Sequence, residues 1–246
     1  MGTGTKIVLV LCLMIFCGSG YYLADYCIKA YRAQTAFSEL KEAAPPAKAG
    51  QGRDLSALLE ENPDLVGWIT IDGTKIDYPV MQTKGEDRDP EYYLHRDFHR
   101  QPSDAGTPFM DAFSDIYLPT SNWLIYGHHM RSGIMFHDLI KYEKKDFWKK
   151  HPEFRFDTIT APGTYQIIAA CSSKIYDEND DAFKYYEYAG ITSEEDFDRY
   201  IQGVKSLSIY DTGETAHYGD QLVTLSTCAY HTDNGRFFIV GKRIRD

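Results

Sequence analysis

Residues 7–23 read IVLVLCLMIFCGSGYYL, a run without a charged side chain close to the start of the chain. A helix needs about 20 apolar residues to cross a bilayer, and Ala24 with residues 26–28 can extend this run toward that length. Because so large an apolar surface is unfavourable in water, the segment must enter a membrane or be removed. The run therefore separates a membrane-directed N-terminus from a much more polar remainder.

Two interpretations of this segment compete, a cleaved signal peptide and an uncleaved signal anchor. No small-x-small cleavage site follows the run, since Gly18-Ser19-Gly20 lies inside it, and this favours the anchor. The flanking charges Lys6, Lys29 and Arg32 do not determine the orientation. A long C-terminal domain can be translocated whatever its charge, so we predict that the folded domain lies outside the cell.

The remaining chain divides in two. Residues 29–53 are predicted to be a flexible linker, because the stretch AAPPAKAGQGR at 43–53 is rich in Pro, Gly and Ala without periodicity. Residues 54–246 are predicted to form one folded domain, and residues 1–28 the transmembrane anchor. Hydrophobic residues make up 43% of the 246, which is enough for a substantial core.

The folded part shows the period of β-strands. Residues 68–80 read WITIDGTKIDYPV, and an Asp-Gly pair between alternating apolar residues predicts a hairpin. One long helix is predicted over 193–205, because SEED at 193–196 matches a capping box before an apolar 3.6-residue period. Six further strands are predicted, at residues 107–110, 123–126, 154–159, 165–171, 222–225 and 236–244. We therefore expect a mainly β fold, one closed eight-stranded barrel with the long helix before the strand that leads to Cys228.

Three side chains at predicted strand ends could carry chemistry. Cys228 ends the stretch LVTLSTC, and a cysteine nucleophile needs a partner, usually histidine, to hold its thiolate. His128 follows an apolar strand and Gly127, a residue that lets the backbone turn sharply. Arg236 begins the last strand, where a hairpin would bring it to the same end of the sheet as Cys228. A fixed guanidinium there could donate to a developing oxyanion.

Each of these residues alone also fits an inert role, as a strand-end cysteine, a loop histidine or a salt-bridged arginine. Cys171 adds an open alternative, because it and Cys228 could form one disulfide, or one could be buried and the other reactive. Residue types alone do not decide between these possibilities.

Other function classes are disfavoured. The formal net charge of −10 and the absence of a basic stripe argue against nucleic-acid binding. A divalent metal could be held by a cluster of imidazoles and one carboxylate, but adjacent histidines on an extended segment face opposite sides and the HExxH spacing is absent. We therefore predict no metal site at these residues: His128, His129, His137 and Asp138.

Taken together, these features resemble one family. TLSTC at 224–228 resembles the TLxTC signature of sortases, YGH at 126–128 resembles their histidine strand end, and Arg236 follows the cysteine as in that family. The similarity covers roughly residues 54–246. Resemblance to class B rests on the N-terminal anchor, the long helix and three further stretches: NPDLVGWITI at 62–71, YYLHRDF at 92–98 and AGTPFMD at 105–111.

The resemblance implies a sortase-type barrel and a membrane-anchored cysteine transpeptidase of a Gram-positive cell surface. Such an enzyme cleaves a C-terminal sorting signal after threonine through a thioester acyl-enzyme. It transfers the protein to a peptidoglycan amine or a pilin lysine. The expected signal is of the Asn-Pro-x-Thr type, no cofactor is implied, and the helix at 193–205 with its preceding loop would form a wall of the groove.

The same resemblance implies roles for individual residues. Cys228 would be the nucleophile, and Arg236 would hold the oxyanion or the peptide. His128 would pair with the thiolate and shuttle the proton, although His129 remains an alternative imidazole. Two hydroxyl residues and one carboxylate are further candidates, for lining the groove and for orienting Arg236 or the histidine respectively: Ser226, Thr227 and Asp233.

Two other functions remain open at this stage. A non-catalytic cell-surface module on the same barrel would bind a peptide without forming an acyl-enzyme. A hydrolytic cysteine peptidase would share the acylation step but release its product to water. The complete set of Cys228, His128 and Arg236 favours an enzyme over the binding module.

Overall fold

The computed structural model of the chain describes residues 2–45, 52–83, 85, 89–118 and 120–244. A long N-terminal helix and three shorter ones, α1 to α4, accompany the strands: Thr3–Ala43, Ser56–Glu61, Lys145–Lys150 and Glu194–Leu207. Three 3-10 helices lie in the connections: Tyr92–His95, Phe136–Glu143 and Tyr185–Glu187. The strands β1 to β8 are Leu65–Thr70, Asp77–Met81, Phe109–Met110, Asn122–Tyr126, Glu153–Thr158, Thr164–Lys174, Leu222–Cys228 and Gly235–Arg243.

The eight strands close into a barrel in the order β1-β2-β3-β4-β7-β8-β6-β5. Two pairs are parallel, β2 with β3 and β4 with β7, and the other six are antiparallel. The predicted mainly β, closed eight-stranded barrel is confirmed, as is the long helix before the cysteine strand. Parallel pairing of β4 with β7 brings the carboxyl ends of these two strands to the same edge.

The predicted hairpin is confirmed as β1 and β2, with Thr70 opposite Asp77. Gly73 takes a φ of +76°, a conformation that a residue with a Cβ adopts only with strain, and this explains the glycine in the connecting loop. The Asp77 carboxylate accepts hydrogen bonds from Trp68 Nε1 at 2.6 Å and from Arg53 at 3.0 Å. Arg53 thus already belongs to the folded domain.

Strand β7 separates two apolar layers. Val223 and Leu225 point into the larger core of the barrel, whereas Leu222 packs with α4 on the outer side. Thr224 also faces outward, where its hydroxyl bonds to the Tyr200 hydroxyl from α4. Because side chains alternate along a strand, residues 226 and 228 face the same outer side as residue 224.

Helix α4 forms as the sequence predicted. The Ser193 hydroxyl accepts a hydrogen bond from the Asp196 N–H at 3.1 Å, which caps the first turn. Phe197, Tyr200 and Val204 are fully buried on one face of the helix. The helix is therefore fixed to the outer side of the sheet, behind the strand that leads to Cys228.

The flexible linker expected over residues 29–53 is not what the structure shows in its first part. Helix α1 continues without a break to Ala43 and ends just before Pro45. Phe37 and Leu40 are each only 4% exposed, and the Phe37 ring packs edge-on against Tyr78 of β2 at 5.0 Å. Residues 46–51 lie outside the described residues. The Pro/Gly-rich composition of residues 43–53 predicted mobility, whereas Phe37 and Leu40 form an apolar face that docks on the barrel.

Within the described residues, α1 is the one helix long and apolar enough to cross a membrane. Residues 7–16 are exposed, which fits a surface that needs lipid rather than protein around it. The length and composition of α1 are compatible with the predicted anchor. A single continuous helix thus connects the apolar run to the barrel.

Candidate active site

Three strand ends meet at one edge of the barrel. Tyr126, the last residue of β4, lies beside Ser226 of the parallel strand β7. Cys228, the last residue of β7, is directly opposite Arg236 of the antiparallel strand β8. His128 follows β4 by two residues, as Cys228 follows Ser226 by two. The topology therefore brings the predicted histidine, cysteine and arginine to the same edge.

These strand ends open into a cleft of about 500 Å³. All five residues predicted for catalysis or substrate binding line it: His128, Ser226, Thr227, Cys228 and Arg236. Other parts of the wall come from the loop around the first 3-10 helix and from the segment between β6 and α4, through Leu94, Ile175 and Tyr186. A concave site with convergent polar groups and apolar walls is typical of a ligand-binding site.

The imidazole of His128 is oriented by a backbone carbonyl. Its Nε2 lies 2.9 Å from the Leu94 oxygen, and since a carbonyl can only accept, Nε2 carries the proton and donates. Nδ1 is then the nitrogen left to take up a proton. Burial lowers the pKa of His128 below its ordinary 6.5, although the Leu94 carbonyl opposes this effect. Neutral His128 is therefore the main form at neutral pH, as a general base requires.

Gly127 is required by the space around it. Its φ is not positive, so the sharp turn expected from the sequence does not explain the glycine. A Cβ at this position would instead lie 2.7 Å from two atoms of the buried Phe136 ring. The Phe136 N–H also donates to the His128 carbonyl at 2.9 Å. Gly127 thus allows the segment with His128 to pack directly on an aromatic ring.

Both cysteines of the barrel are free thiols. Cys171 is fully buried on β6 beneath α4, and its Sγ donates to the Val204 carbonyl at 3.4 Å. Burial raises the pKa of the Cys171 thiol far above its ordinary range. Cys228, in contrast, is partly exposed and lines the cleft. Of the possibilities left open by the sequence, the structure shows one buried cysteine and one accessible cysteine.

The guanidinium of Arg236 is held at the cleft by backbone carbonyls of the β7–β8 loop. Its Nη1 donates to the carbonyls of Gly235 at 3.0 Å and Asn234 at 3.3 Å. No carboxylate is paired with it in the described part of the chain, so the salt-bridged alternative is not what is seen. A cation held opposite Cys228 has donors to offer a negatively charged oxygen.

Comparison with known proteins identifies the family. No family model matches the chain. Sortase B of Listeria monocytogenes is 37% identical over 207 residues, which cover 83% of this chain and 80% of that protein. Two solved structures are similar. One is sortase B from Bacillus anthracis in complex with AAEK1, with a TM-score of 0.73 and 29% identity over 89% of this chain and 99% of that one. The other is a Staphylococcus aureus sortase B–substrate complex, with a TM-score of 0.67 and 26% identity over 92% and 98%.

The chain belongs to the sortase B family. Its class B resemblance is thereby confirmed, and so is its coarse activity, that of a sortase-type cysteine transpeptidase. Sortases are cell-surface enzymes, which agrees with an apolar N-terminal helix before the barrel. The finer assignments to single residues rest on the geometry of the cleft.

Two hydroxyls beside the sortase cysteine are already engaged within the protein. The Ser226 hydroxyl lies 2.7 Å from the Tyr185 hydroxyl. Thr227 Oγ1 donates to the Gly127 carbonyl at 2.7 Å, which joins the cysteine strand to the histidine segment. Both residues line the cleft as predicted, but their side chains hold its walls together.

Two other expectations for the site have different outcomes. Asp233 lies exposed in the β7–β8 loop and is not among the residues that line the cleft. Its role as an orienting acid stays a prediction. Of the wall predicted from the helix at 193–205 and its preceding loop, only the loop takes part, because the described residues that line the cleft include Ile175 and Tyr186 but none of α4. Helix α4 packs behind the sheet.

Sequence reasoning missed three partners within this sortase site. The Leu94 carbonyl fixes the His128 tautomer, and a backbone acceptor leaves no signal in the residue type. Tyr185 supports Ser226 and stacks on Phe238 with ring centroids 4.0 Å apart. His129, considered as an alternative base and as one imidazole of a possible metal cluster, has Nδ1 at 3.0 Å from the Cys228 carbonyl. Of these three partners, only His129 had a signal in the sequence, which was its place directly after His128.

Proposed function

We propose that this enzyme cleaves a C-terminal sorting signal after threonine and joins the new carboxyl group to an amine of the cell wall. The observation that carries the proposal is the cleft at the ends of β4, β7 and β8. It gathers an accessible cysteine, an oriented imidazole and an arginine without a carboxylate partner among the described residues. These are the groups that nucleophilic acyl transfer needs.

In the acylation step, Cys228 Sγ attacks the carbonyl carbon of the threonine. His128 Nδ1 accepts the thiol proton, since Nε2 is committed to Leu94. The tetrahedral intermediate then collapses, the carbon–nitrogen bond breaks, and the proton on His128 passes to the leaving amine. A thioester between threonine and Cys228 remains, and His128 is neutral again.

In the transfer step, an acceptor amine attacks the thioester carbonyl. His128 takes the proton of the amine, the carbon–sulfur bond breaks, and the proton returns to the departing thiolate. The acceptor is a peptidoglycan peptide amine or a pilin lysine. Water would give hydrolysis instead, and we expect this reaction to be slow when no amine is present.

Arg236 holds the negative charge that develops on the substrate oxygen, or the peptide beside it. Its place opposite Cys228 in the β7–β8 ladder supports this role. A guanidinium in a partly enclosed cleft interacts with an oxyanion more strongly than it would in water. Asp233 is proposed to orient Arg236 or the histidine when substrate is bound.

The proposed substrate is a peptide of the Asn-Pro-x-Thr type, as the class B resemblance implies. The relative from Staphylococcus aureus was solved as a substrate complex, which supports a substrate for this enzyme as well. The walls formed by Leu94, Ile175 and Tyr186 offer apolar surface for such a chain. Ser226 and Thr227 shape the floor of this groove.

We further propose that α1 crosses the membrane once, with the barrel outside the cell. Phe37 docks on the barrel 14 residues after Leu23, the end of the apolar run. Lys29 already pairs with Asp104 at 3.4 Å, six residues after Leu23. At about 1.5 Å per residue, the helix would meet the barrel roughly 9 Å beyond the apolar run and reach the Phe37 contact roughly 20 Å beyond it. The helix would then act as a spacer that limits how far the cleft can move from the membrane surface.

Product analysis tests the proposed function. The full chain in detergent micelles is mixed with an Asn-Pro-x-Thr peptide, with and without a wall-derived amine, and the products are separated by mass. We expect cleavage after threonine and a ligated product that replaces the hydrolysed one when the amine is added. Cys228→Ala and His128→Ala should each abolish both products. An unchanged product mixture with added amine would indicate a hydrolytic peptidase, and no cleavage by a folded wild type would favour a binding module.

A further inference from the structure

The backbone hydrogen-bond ladder between β4 and β7 is interrupted at Cys228. The Gly127 N–H donates to the Ser226 carbonyl at 3.1 Å. Along parallel strands these bonds recur every second residue, so the next one should run from the N–H of residue 129 to the Cys228 carbonyl. The backbone of His129 instead turns away and pairs with Met135 in an isolated antiparallel bridge.

The side chain of His129 supplies the missing donor. Its Nδ1 lies 3.0 Å from the Cys228 carbonyl oxygen, which can only accept, so Nδ1 carries the proton. The ring is half-buried between two others, with centroid distances of 4.7 Å to His137 and 5.2 Å to Tyr230. The neighbouring rings limit its rotation and hold the donor in place.

We propose that His129 is a positioning residue that completes the β4–β7 ladder with its imidazole and so fixes the peptide plane of Cys228. The inference rests on the proposed acyl transfer. The direction of the Cys228 thiol depends on this peptide plane, because Sγ is joined through Cβ to the same Cα that carries the Cys228 carbonyl. His128 and His129 then have separate tasks. His128 exchanges the proton, and His129 holds the nucleophile within reach of it.

The Tyr230 hydroxyl donates to the backbone carbonyl of His129 at 3.3 Å and leaves the imidazole donor untouched. Burial lowers the pKa of His129, while its bond to the Cys228 carbonyl opposes the shift. The ring therefore stays neutral at neutral pH and acts as a single-proton donor. Its protonated form is not needed for the bond.

The test replaces the donor in two ways. His129→Asn keeps an N–H donor near the position of Nδ1, whereas His129→Ala removes it. Tyr230→Phe is the matched control, because it loses the hydroxyl contact to the His129 backbone and keeps the ring. Each full-length variant in micelles is assayed for kcat and KM of peptide acylation, for the rate of Cys228 alkylation by iodoacetamide, and for the thermal unfolding midpoint.

We expect His129→Ala to lower kcat for acylation by about tenfold or more while KM changes by less than about twofold, because only the alignment of the nucleophile is lost. His129→Asn should recover most of the loss, and Tyr230→Phe should resemble the wild type. The inference is overturned if Ala and Asn lose activity equally, if only KM rises, or if Ala resembles the wild type. It is also overturned if the loss of rate follows the loss of folded protein.

Alkylation separates this inference from the proposed function. If the wild type forms no acyl adduct with any peptide, the transpeptidase proposal fails. The alkylation rates still decide the role of His129, because they depend on the thiol and its surroundings rather than on a sorting signal. Slower alkylation in His129→Ala that Asn restores supports the positioning role, and equal rates in all variants reject it.

Discussion

Gly127→Ala should be damaging although it adds a single methyl group. The new Cβ would lie 2.7 Å from two atoms of the Phe136 ring, about 0.7 Å inside the 3.4 Å at which ordinary contact begins. Phe136 is fully buried, so its ring has no free space to move into. Its N–H bonds to the His128 carbonyl, and a shift of Phe136 therefore displaces the histidine segment.

The size of the effect follows from this overlap. Overpacking a well-filled core costs about 1–3 kcal/mol of unfolding free energy. For a domain of this size, each kcal/mol lowers the unfolding midpoint by about 2–4 °C, so a drop of roughly 2–12 °C is expected. A displacement of His128 by a few tenths of an ångström or more should slow acylation by about 10- to 100-fold.

The assay combines thermal unfolding with acylation kinetics for Gly127→Ala and for the double variant with Phe136→Leu. The smaller leucine makes room for the new methyl group. The double variant should therefore be more stable and more active than the added effects of the two single substitutions would give. A Gly127→Ala protein with the midpoint and acylation rate of the wild type would refute the packing argument. Additive effects in the double variant would do the same.

Three other predictions follow from separate parts of the molecule. Phe37→Ala should lower the unfolding free energy of the barrel by about 1.5–3 kcal/mol in denaturant titrations, because its ring is buried against Tyr78, whereas a freely moving linker would give no change. Because burial lowers the pKa of His128, this histidine loses its neutral, basic form only at more acidic pH. The acylation rate, measured against pH, should therefore fall on the acid side with a midpoint below pH 6.5, and a midpoint at or above pH 6.5 would contradict this. Iodoacetamide should label Cys228 in the folded protein and leave Cys171 unmodified until denaturant is added, because the buried Cys171 thiol stays protonated. Peptide mass mapping measures the labelling of both cysteines, and equal labelling in the folded protein would contradict the prediction.

The barrel could be predicted largely because its strands follow local rules. Alternating apolar residues, the Asp-Gly turn and the N-cap at Ser193 each act over a few residues, and the structure contains them all. The hairpin of β7 and β8 predicted that Cys228 and Arg236 lie at the same end of the sheet. The pairing of His128 with Cys228 was expected from the sortase resemblance alone, because the β4–β7 neighbourhood depends on the strand order of the whole barrel.

Other features depend on contacts that sequence patterns do not carry. The docking of Phe37 on Tyr78 joins residues 41 positions apart, and the composition of residues 43–53 suggested mobility instead. The tautomer of His128 is fixed by a backbone oxygen of Leu94, which every residue type offers alike. The bond from His129 to Cys228 arises because one ladder ends early, an event that depends on the tertiary path of the chain.

Intact-protein mass spectrometry of the full chain with Asn-Pro-x-Thr peptides would test the central claim most directly. The account predicts a mass increase equal to the peptide acyl fragment on the wild type, mapped to Cys228. Cys228→Ala should show no such increase, and an added wall-derived amine should clear it faster. A folded wild type that never gains this mass, or gains it on Cys171, would contradict the assignment of Cys228 as the nucleophile.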